Sequence, residues 1–272
     1  MNMKTSKPYI LGFIGCGNMG LAIARGCVQS EYLDRWQILV HEHKIENIAQ
    51  AKGERFAIAE DETDVAKNAH IVVIAVRPDQ TDEVLKKIAP YHPDCILSIV
   101  TGLSIKHIQE IAGPDVPVIR AMPNTPLQIK QGATALCMSS NCKADDYDFV
   151  FQMFKEMGVA RTISEDQMNA IVAVHGSVPA YVYYFIECIL KDATDRGIDQ
   201  DSARELLVQT FIGSGMLLKA NRDKSISEFV DEVASKGGTT IEAIKELKKQ
   251  DLAKIIHEAN EKCVKRAEEL SK

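Results

Sequence analysis

A short apolar segment that runs into a glycine-rich turn constrains the fold of this chain more than any other feature. Residues 9–14 are apolar, residues 15–20 read G-C-G-N-M-G with the spacing G-x-G-x-x-G, and residues 21–28 continue with helical periodicity. This order predicts a buried strand, a turn and a helix. The glycines would serve a tight turn at Gly15, close approach to a diphosphate at Gly17 and helix–strand packing at Gly20. The pattern predicts a dinucleotide site; the alternative is a glycine-rich turn that binds nothing.

Composition excludes several classes of partner. The chain has 272 residues, 46% of them hydrophobic, and a formal net charge of -6. This balance is typical of a soluble globular protein and offers no basic surface to nucleic acid or membranes. No apolar run approaches the roughly 18 residues that a bilayer span requires. The 7 cysteines are scattered without a C-x-x-C pair, which indicates the reducing cytoplasm and predicts no metal site.

The alternation of strand and helix signals predicts the fold class. Apolar runs such as Ile71 to Val76 and Cys95 to Val100 recur between helical segments, which predicts an α/β fold with a Rossmann-type doubly wound sheet over residues 1–163. Ala133 to Met138 and Ala160 to Ile163 resemble edge strands of this sheet. From Ser164 onward the strand signal disappears, so we expect a second, all-helical domain over residues 164–272.

The predicted helical domain should dimerise. Ser164 to Gln167 has the pattern of a capping box, which predicts the start of a long apolar helix interrupted near Pro179. Tyr181 to Leu190 is apolar on nearly every side, and such a helix must be buried on nearly every side. A domain of this size cannot supply that burial alone, so the sequence predicts a homodimer.

Two charged residues follow predicted strands of the first domain. Glu42 lies 22 positions beyond Gly20, where an acidic side chain usually accepts hydrogen bonds from the adenosine ribose. Its charge would repel a 2′-phosphate and favour NADH over NADPH; the alternative is an exposed turn residue. Arg77 follows the strand at Ile71 to Val76. This position predicts either a neighbour of the cofactor phosphate or a solvent-exposed arginine. We interpret His41 and His43 as turn residues, because the sequence shows no third metal ligand.

Two loops have the residue types of a binding site. Pro123 and Pro126 flank Asn124 and Thr125, which predicts a rigid loop that presents its polar groups to a cofactor pocket, or a plain connector. Residues 235–240 read S-K-G-G-T-T and precede a predicted helix. Free N–H groups at that helix start and nearby hydroxyls would form a carboxylate-binding nest; the alternative is a capped turn between helices.

These motifs together resemble the pyrroline-5-carboxylate reductase family over essentially the whole chain. The resemblance rests on G-C-G-N-M-G, A-V-R-P, A-M-P-N-T-P, G-S-V-P-A-Y and S-K-G-G-T-T in this order. It implies a Rossmann-type domain, a helical dimerisation domain and, in many members, five dimers joined into a decamer. The implied reaction is reduction of a five-membered cyclic imine carboxylate to L-proline by NADPH or NADH.

The resemblance also implies roles for individual residues. Thr240 would be catalytic, with its hydroxyl at the ring nitrogen, and Asn124 would close over the nicotinamide. Glu165 would approach the substrate. The substrate carboxylate would be held by Ser235, Gly238, Thr239 and Thr240. The rest of the cofactor would be lined by Gly15, Cys16, Gly17, Asn18, Met19, Gly20, Ala75, Val76, Arg77, Pro78, Val100 and Thr101.

Several positions depart from the family pattern. His175 and Val178 stand where the family has a serine and a glycine, and Arg77 stands where it has lysine. Lys236 replaces a proline, and is expected either to pair with Glu232 or to attract the substrate carboxylate. We interpret His175 as a packed, hydrogen-bonded residue. The departures leave two alternatives: a reductase of a related cyclic imine carboxylate, or a non-catalytic nucleotide-binding regulator.

Overall fold

A computed structural model describes residue 3 and residues 5–271, in which strands and helices alternate before a run of helices. Within these residues the strands are β1 (Tyr9–Ile14), β2 (Ile38–His41), β3 (Ala57–Ile58), β4 (Ala69–Ile74), β5 (Cys95–Ser98), β6 (Val118–Pro123), β7 (Gly132–Met138) and β8 (Gly158–Thr162). The helices are α1 (Asn18–Gln29), α2 (Ile45–Gly53), α3 (Glu62–Asn68), α4 (Thr81–Ile88), α5 (Ile105–Ala112), α6 (Ala144–Glu156), α7 (Val178–Asp195), α8 (Gln200–Ala220), α9 (Ile226–Val233), α10 (Thr239–Lys249) and α11 (Leu252–Leu270).

The eight strands form one sheet in the order β3-β2-β1-β4-β5-β6-β7-β8. Strands β1 to β6 pair in parallel, which confirms the predicted Rossmann-type topology. β7 pairs antiparallel with β6 because only eight residues connect the two strands, too few for a crossover helix. The prediction of β7 as an edge strand is wrong, since β8 pairs with its other side.

The central strands of the sheet are buried on both faces, which explains their continuous apolar sequences. Along β4, Ile71 and Val73 pack on the face that α1 and α6 cover, whereas Val72 and Ile74 pack on the face of α3, α4 and α5. Successive side chains of a strand point to opposite faces, so a strand between two helical layers needs apolar residues at every position. Along the central strands the helices therefore cover the side chains on both faces, whereas the edge strand β8 has exposed side chains such as Val159.

The chain up to Pro179, together with the stretch from Cys263, forms one compact unit, and Ala180–Lys262 forms another. The second unit contains only helices within the described residues, as the sequence predicts. The domain boundary after residue 163 stays a prediction. No helix in the described part of the chain is both long enough and apolar enough to cross a bilayer.

The segment after β8 differs from the sequence prediction. Ser164 caps no helix with its side chain among the described residues, and Glu165–Gln167 forms a single 3₁₀ turn followed by another at Ala170–Ala173. The long helix begins only at Val178, because Pro179 fits the first turn of a helix but not its interior. The predicted capping box at Ser164 is therefore wrong.

Candidate cofactor and substrate sites

The glycine-rich loop connects β1 to α1 at the carboxyl edge of the sheet. Gly15 has a φ of 93°, and a Cβ there would lie 2.6 Å from the Ala75 carbonyl oxygen. A Cβ on Gly20 would lie 2.5 Å from the Gly15 carbonyl oxygen. These two glycines are thus required by the chain itself, for the turn and for the packing of α1 against it.

Gly17 is required by nothing in the chain. A Cβ built on it would meet no described atom within 4 Å. Gly17 is also the residue before the first turn of α1, where no described side chain caps the helix and no acidic residue is present. Free N–H groups and the positive end of the helix dipole therefore face open space, an arrangement that fits a diphosphate.

Two cavities run along the same edge of the sheet and share Ala75 and Val76. The first has a volume of about 280 Å³ and is lined by Gly15, Gly17, Glu42, Arg77 and the segment from His41 to Lys44. The second, of about 250 Å³, is lined by Met19, Pro78, Val100, Thr101, Met122 and Pro123. The structure thus brings together residues from four separate loops that the sequence assigns to the cofactor.

Glu42 connects the first cavity to the glycine loop. Its Oε2 accepts hydrogen bonds from the Cys16 N–H at 3.0 Å and the Asn47 amide at 3.1 Å, and its Oε1 accepts from the N–H groups of His43 and Lys44. Burial acts to raise the pKa of Glu42, but these hydrogen bonds outweigh it and lower the pKa. Because a carboxylate has about four acceptor positions, ribose hydroxyls would have to displace one of these donors.

Cys16 contributes its backbone to this loop rather than a reactive thiol. The side chain is buried in the core on the α1 face. Burial, assisted by the charge of Glu42, raises the pKa of the Cys16 thiol to about 12. The thiol is therefore protonated at neutral pH and is not a nucleophile.

Arg77 lies at the mouth of the first cavity. Its side chain is exposed and pairs with Asp79 at 2.9 Å. Both sequence interpretations, a phosphate neighbour and a solvent-exposed arginine, agree with this position. The role of Arg77 stays a prediction.

Asn124 does not present its amide as the sequence predicts. The side chain is buried, its Oδ1 accepts from the Ala133 N–H at 2.8 Å, and its Nδ2 donates to the His175 carbonyl at 3.1 Å. The amide joins the start of β7 to the segment before α7. The prediction of a free polar group is wrong because both ends of the amide find partners that are distant in sequence.

His175 is packed and hydrogen-bonded, as the sequence predicts. Its Nδ1 lies 3.0 Å from the Ile171 carbonyl oxygen, and its Nε2 lies 2.8 Å from the Met122 carbonyl oxygen. Met122 lines the second cavity. His175 therefore supports the wall of this cavity through a backbone carbonyl.

Glu165 lies in the same unit as the glycine loop. Its Oε1 accepts from the Ile105 N–H at 2.6 Å and from Arg120 Nη1 at 2.8 Å. Arg120 is only 4% exposed, so Glu165 neutralises a buried cation. Its predicted approach to the substrate stays a prediction.

The turn from Ser235 to Thr240 belongs to the helical unit. Gly237 has a φ of 80°, the Gly238 N–H donates to the Ser235 carbonyl at 3.0 Å, and α10 begins at Thr239. A Cβ on Gly238 would lie 3.0 Å from the Ser235 hydroxyl oxygen. With glycine there, no described side chain caps the first turn of α10, and its N–H groups can receive a carboxylate.

The charges beside this turn are arranged differently from the expectation. Glu232 forms its ion pair with Lys224 rather than with Lys236. The alternative that Lys236 attracts the substrate carboxylate stays a prediction.

Sequence reasoning missed several residues around the first cavity. His41, His43 and Asn47 line it, and Glu62 lies behind them, 3.2 Å from His43. The two histidines carried a signal as a close pair at the end of a strand; the interpretation of His41 as a turn residue is wrong, because His41 is the buried last residue of β2. Asn47 and Glu62 carried none, because only the tertiary fold brings them to Glu42 and His43.

Comparison with known proteins gives the same assignment over the whole chain. A family model described as pyrroline-5-carboxylate reductase dimerisation matches residues 165–270, and one described as NADP oxidoreductase, coenzyme F420-dependent, matches residues 10–102. The pyrroline-5-carboxylate reductase of Escherichia coli (strain K12) is 34% identical over 267 residues, which is 96% of this chain and 98% of that protein. The Glycine max enzyme is 32% identical over 98% of this chain and 97% of its own.

Solved structures of the same name superpose closely. The crystal structure of Plasmodium falciparum pyrroline carboxylate reductase with NADP bound has a TM-score of 0.89 and 27% identity, and the match covers 98% of this chain and 99% of that one. The pyrroline-5-carboxylate reductase of Coxiella burnetii has a TM-score of 0.87 and 30% identity, with 97% and 99% covered.

Proposed function

The chain belongs to the pyrroline-5-carboxylate reductase family, and from this membership we propose that it reduces 1-pyrroline-5-carboxylate to L-proline with NADPH or NADH. The observation that carries the proposal is the 34% identity over 96% of the chain, which includes both the glycine loop and the turn before α10. The uncapped start of α1, with open space at Gly17, fits the cofactor diphosphate.

The bound cofactor would supply the hydride. The chain's task at this end is to hold the dinucleotide along the carboxyl edge of the sheet. We propose that the loop from Gly15 to Gly20, which includes Asn18, binds the diphosphate, with Cys16 contributing its backbone. The residues proposed to line the remainder of the cofactor site are Met19, Glu42, Ala75, Val76, Arg77, Pro78, Val100 and Thr101, with the Asn124 loop closing over the nicotinamide side.

At the other end, the turn before α10 would hold the substrate. We propose that the Ser235 hydroxyl and the N–H groups of Thr239 and Thr240 bind the carboxylate, with Gly238 beside it. Supporting this, Gly237 in this turn has a φ of 80°, and α10 begins without a side-chain cap among the described residues. The Thr240 hydroxyl would lie at the ring nitrogen and orient its proton. We also propose that Glu165 approaches the substrate.

This chemistry needs few reactive groups. A protonated cyclic imine is already electrophilic, so neither a nucleophile nor a strong base is required. What the protein must supply is the placement of the imine carbon against the nicotinamide. A threonine hydroxyl, which can orient a proton without changing charge, suits this role.

The finer assignments are also proposals. We propose domains at residues 1–163 and 164–272, a homodimer formed by the second, and five such dimers as a decamer. The family model for dimerisation, which matches residues 165–270, supports the second domain and a homo-oligomer. A preference for NADH rests on the charge of Glu42, and a cytoplasmic location rests on the scattered thiols, which are unpaired in the structure.

The assay follows oxidation of NADPH and of NADH, separately, with racemic 1-pyrroline-5-carboxylate. We expect turnover with both and a higher kcat/KM with NADH. Turnover only with a six-membered cyclic imine carboxylate would show that this compound, rather than 1-pyrroline-5-carboxylate, is the substrate. Binding of nucleotide without turnover of any cyclic imine would support the regulatory alternative.

A paired substitution tests the substrate turn. We expect Thr240→Ala to lower kcat/KM about 100-fold, the loss typical of a positioned proton-transfer group, with unchanged cofactor affinity. The control is Thr194→Ala, since the Thr194 hydroxyl donates to the Lys191 carbonyl within α7, far in sequence from the substrate turn. If Thr240→Ala turned over at the wild-type rate, Thr240 would have no role in placing the proton.

A further inference from the structure

Three side chains with metal-binding chemistry converge behind the first cavity. His41 is the last residue of β2, His43 follows two residues later, and Glu62 is the first residue of α3. Their ligand atoms all lie within 4.8 Å of one another. Glu62 is 19 residues from His43 in sequence, so only the packing of α3 beside β2 completes the set.

His41 is the least satisfied member of this cluster. The residue is 6% exposed, and its Nε2 has no hydrogen-bond partner within the described chain. The carboxylate oxygen Oε2 of Glu62 lies 3.8 Å from this atom, beyond hydrogen-bond distance. A buried nitrogen without a partner costs free energy that a metal ion bound to it would recover.

We propose that His41 Nε2, His43 Nε2 and the Glu62 carboxylate bind one divalent transition-metal ion of the zinc class. Imidazole nitrogen and carboxylate oxygen are ligands that Zn²⁺ accepts, and three protein ligands with one open position are typical of zinc sites that bind a further molecule. Since His41 and His43 line the first cavity, the fourth position would face its solvent.

Two of the distances between ligand atoms lie on either side of the value for a tetrahedral ion, and all ligand atoms lie within 4.8 Å of one another. Bonds of about 2.0–2.1 Å in a tetrahedral site place neighbouring ligand atoms about 3.4 Å apart. His43 Nε2 lies 3.2 Å from Glu62 Oε1, and His41 Nε2 lies 3.8 Å from Glu62 Oε2. The side chain of His43 is 65% exposed and can rotate to bring its nitrogen nearer to His41.

Lys87 is the group that competes with the metal. Its Nζ lies 3.2 Å from Glu62 Oε1 and 3.1 Å from Glu83 Oε1. Because Glu83 is a second partner at similar distance, Lys87 can release Glu62 without losing its ion pair. A bound cation therefore does not leave a buried charge unpaired.

An ion at this place would act on the glycine loop. The His41 carbonyl accepts the Gly15 N–H at 3.0 Å, and Glu42, between the two histidines, accepts the Cys16 N–H. An ion bound by both histidines and Glu62 would fix residues 41–43 against α3. The hydrogen bonds from the Gly15 and Cys16 N–H groups to this segment would then be held in place.

The test is titration of the full-length, chelator-treated chain with Co²⁺ in the absence of nucleotide and imine. We expect one Co²⁺ per chain, with the visible absorption of a four-coordinate ion, and its displacement by Zn²⁺. His43→Ala and Glu62→Gln should each weaken Co²⁺ binding at least tenfold. The matched control His257→Ala removes an exposed histidine of α11 and should bind like the wild type.

His43→Ala keeps the test decisive, since His43 is exposed and its replacement leaves the core intact; for Glu62→Gln, circular dichroism of the metal-free variant verifies folding. Wild-type chain without a Co²⁺ absorption would overturn the proposal, and so would His43→Ala that binds as tightly as wild type. Neither result bears on imine reduction, which is assayed separately.

Discussion

Gly17 faces space that no described atom of the chain fills. The neighbouring glycines are needed for the fold, since a Cβ on Gly15 or Gly20 would approach a backbone oxygen to 2.6 or 2.5 Å. A Cβ on Gly17 would contact no described atom within 4 Å, and its φ of -71° suits any residue. The fold therefore does not require glycine at this position, and we expect the missing side chain to leave room for the cofactor diphosphate.

Gly17→Ala separates binding from folding. We expect the cofactor dissociation constant to rise about tenfold or more, which corresponds to about 1.4 kcal/mol, because the methyl group stands where the diphosphate approaches. Stability should change by less than about 1 kcal/mol, the range for such changes at a helix start. Fluorescence titration with NADPH and thermal unfolding measure the two quantities.

The control for Gly17→Ala is Gly53→Ala. Gly53 is the last residue of α2, and a Cβ there also meets no described atom within 4 Å. This variant should bind cofactor like the wild type. Equal cofactor affinity of Gly17→Ala and the wild type would remove the diphosphate from this loop.

Glu42 should stabilise the fold in a pH-dependent way. Its pKa in the folded chain lies below the ordinary value of 4.5, so its stabilisation is complete above about pH 4.5 and is lost as the pH falls through the folded pKa. Compared with Glu42→Gln, we expect the wild type to be more stable at pH 7 by on the order of 1 kcal/mol, allowing for solvent screening.

Urea unfolding of the wild type and of Glu42→Gln, from about pH 3 to about pH 7, measures this difference in the free energy of unfolding. It should be constant near neutrality and shrink at acid pH. A difference that stays constant down to pH 3 would mean that the Glu42 carboxylate does not hold the loop through its charge.

At the scale of elements, the sequence predicts what local patterns determine. The apolar run of β4 and the glycine spacing before α1 are local patterns, and the structure has both. The antiparallel entry of β7 was not predictable, because it depends on the length of a connection rather than on residue type.

The candidate site also contains features that local sequence patterns determine and features that depend on the tertiary fold. The cradle of N–H groups at Gly17 follows from backbone geometry that glycines encode. The partners of Glu42, Asn124 and Glu165 do not, since Cys16, Ala133 and Arg120 reach them only through the tertiary fold. Some polar side chains that the sequence predicts to bind ligands instead form hydrogen bonds between separate strands, helices and loops of the chain.

Glu165 is expected to join three elements. It accepts the first N–H of α5 and pairs with Arg120 of β6, whose Nη2 already has no partner within the described chain. We expect Glu165→Ala to lower the free energy of unfolding by about 2 kcal/mol, since a buried guanidinium loses an acceptor. Denaturant unfolding measures the loss.

The control for this variant is Glu110→Ala, which removes only an exposed pair with Lys106 at 3.7 Å and should change stability by less than about 0.5 kcal/mol. An unchanged free energy of unfolding for Glu165→Ala would contradict this structural role, whereas a raised KM for the imine would support the proposed place of Glu165 near the substrate.

At the scale of the whole molecule, the helical unit exposes more apolar surface than one chain should. α7 has no buried residue in the described chain, although most of its residues are apolar. Large exposed side chains on α7 and α8 include Tyr183, Tyr184, Leu206, Met216 and Leu217. A surface of this kind on two neighbouring helices in sequence marks a protein interface, in agreement with the dimerisation model that matches residues 165–270.

Charge placed on this surface should therefore dissociate the oligomer. Tyr184 is 68% exposed, and we expect Tyr184→Glu to shift the wild-type mass at micromolar concentration to that of one chain, because burying an unpaired carboxylate in an interface is strongly unfavourable. Ile45→Glu is the control: Ile45 is 80% exposed on α2 of the other unit and should leave the mass unchanged. Light scattering after size-exclusion chromatography measures both. A wild-type chain that is monomeric at this concentration, or a Tyr184→Glu variant that keeps the wild-type mass, would place the interface elsewhere and leave the apolar face of α7 without an occupant.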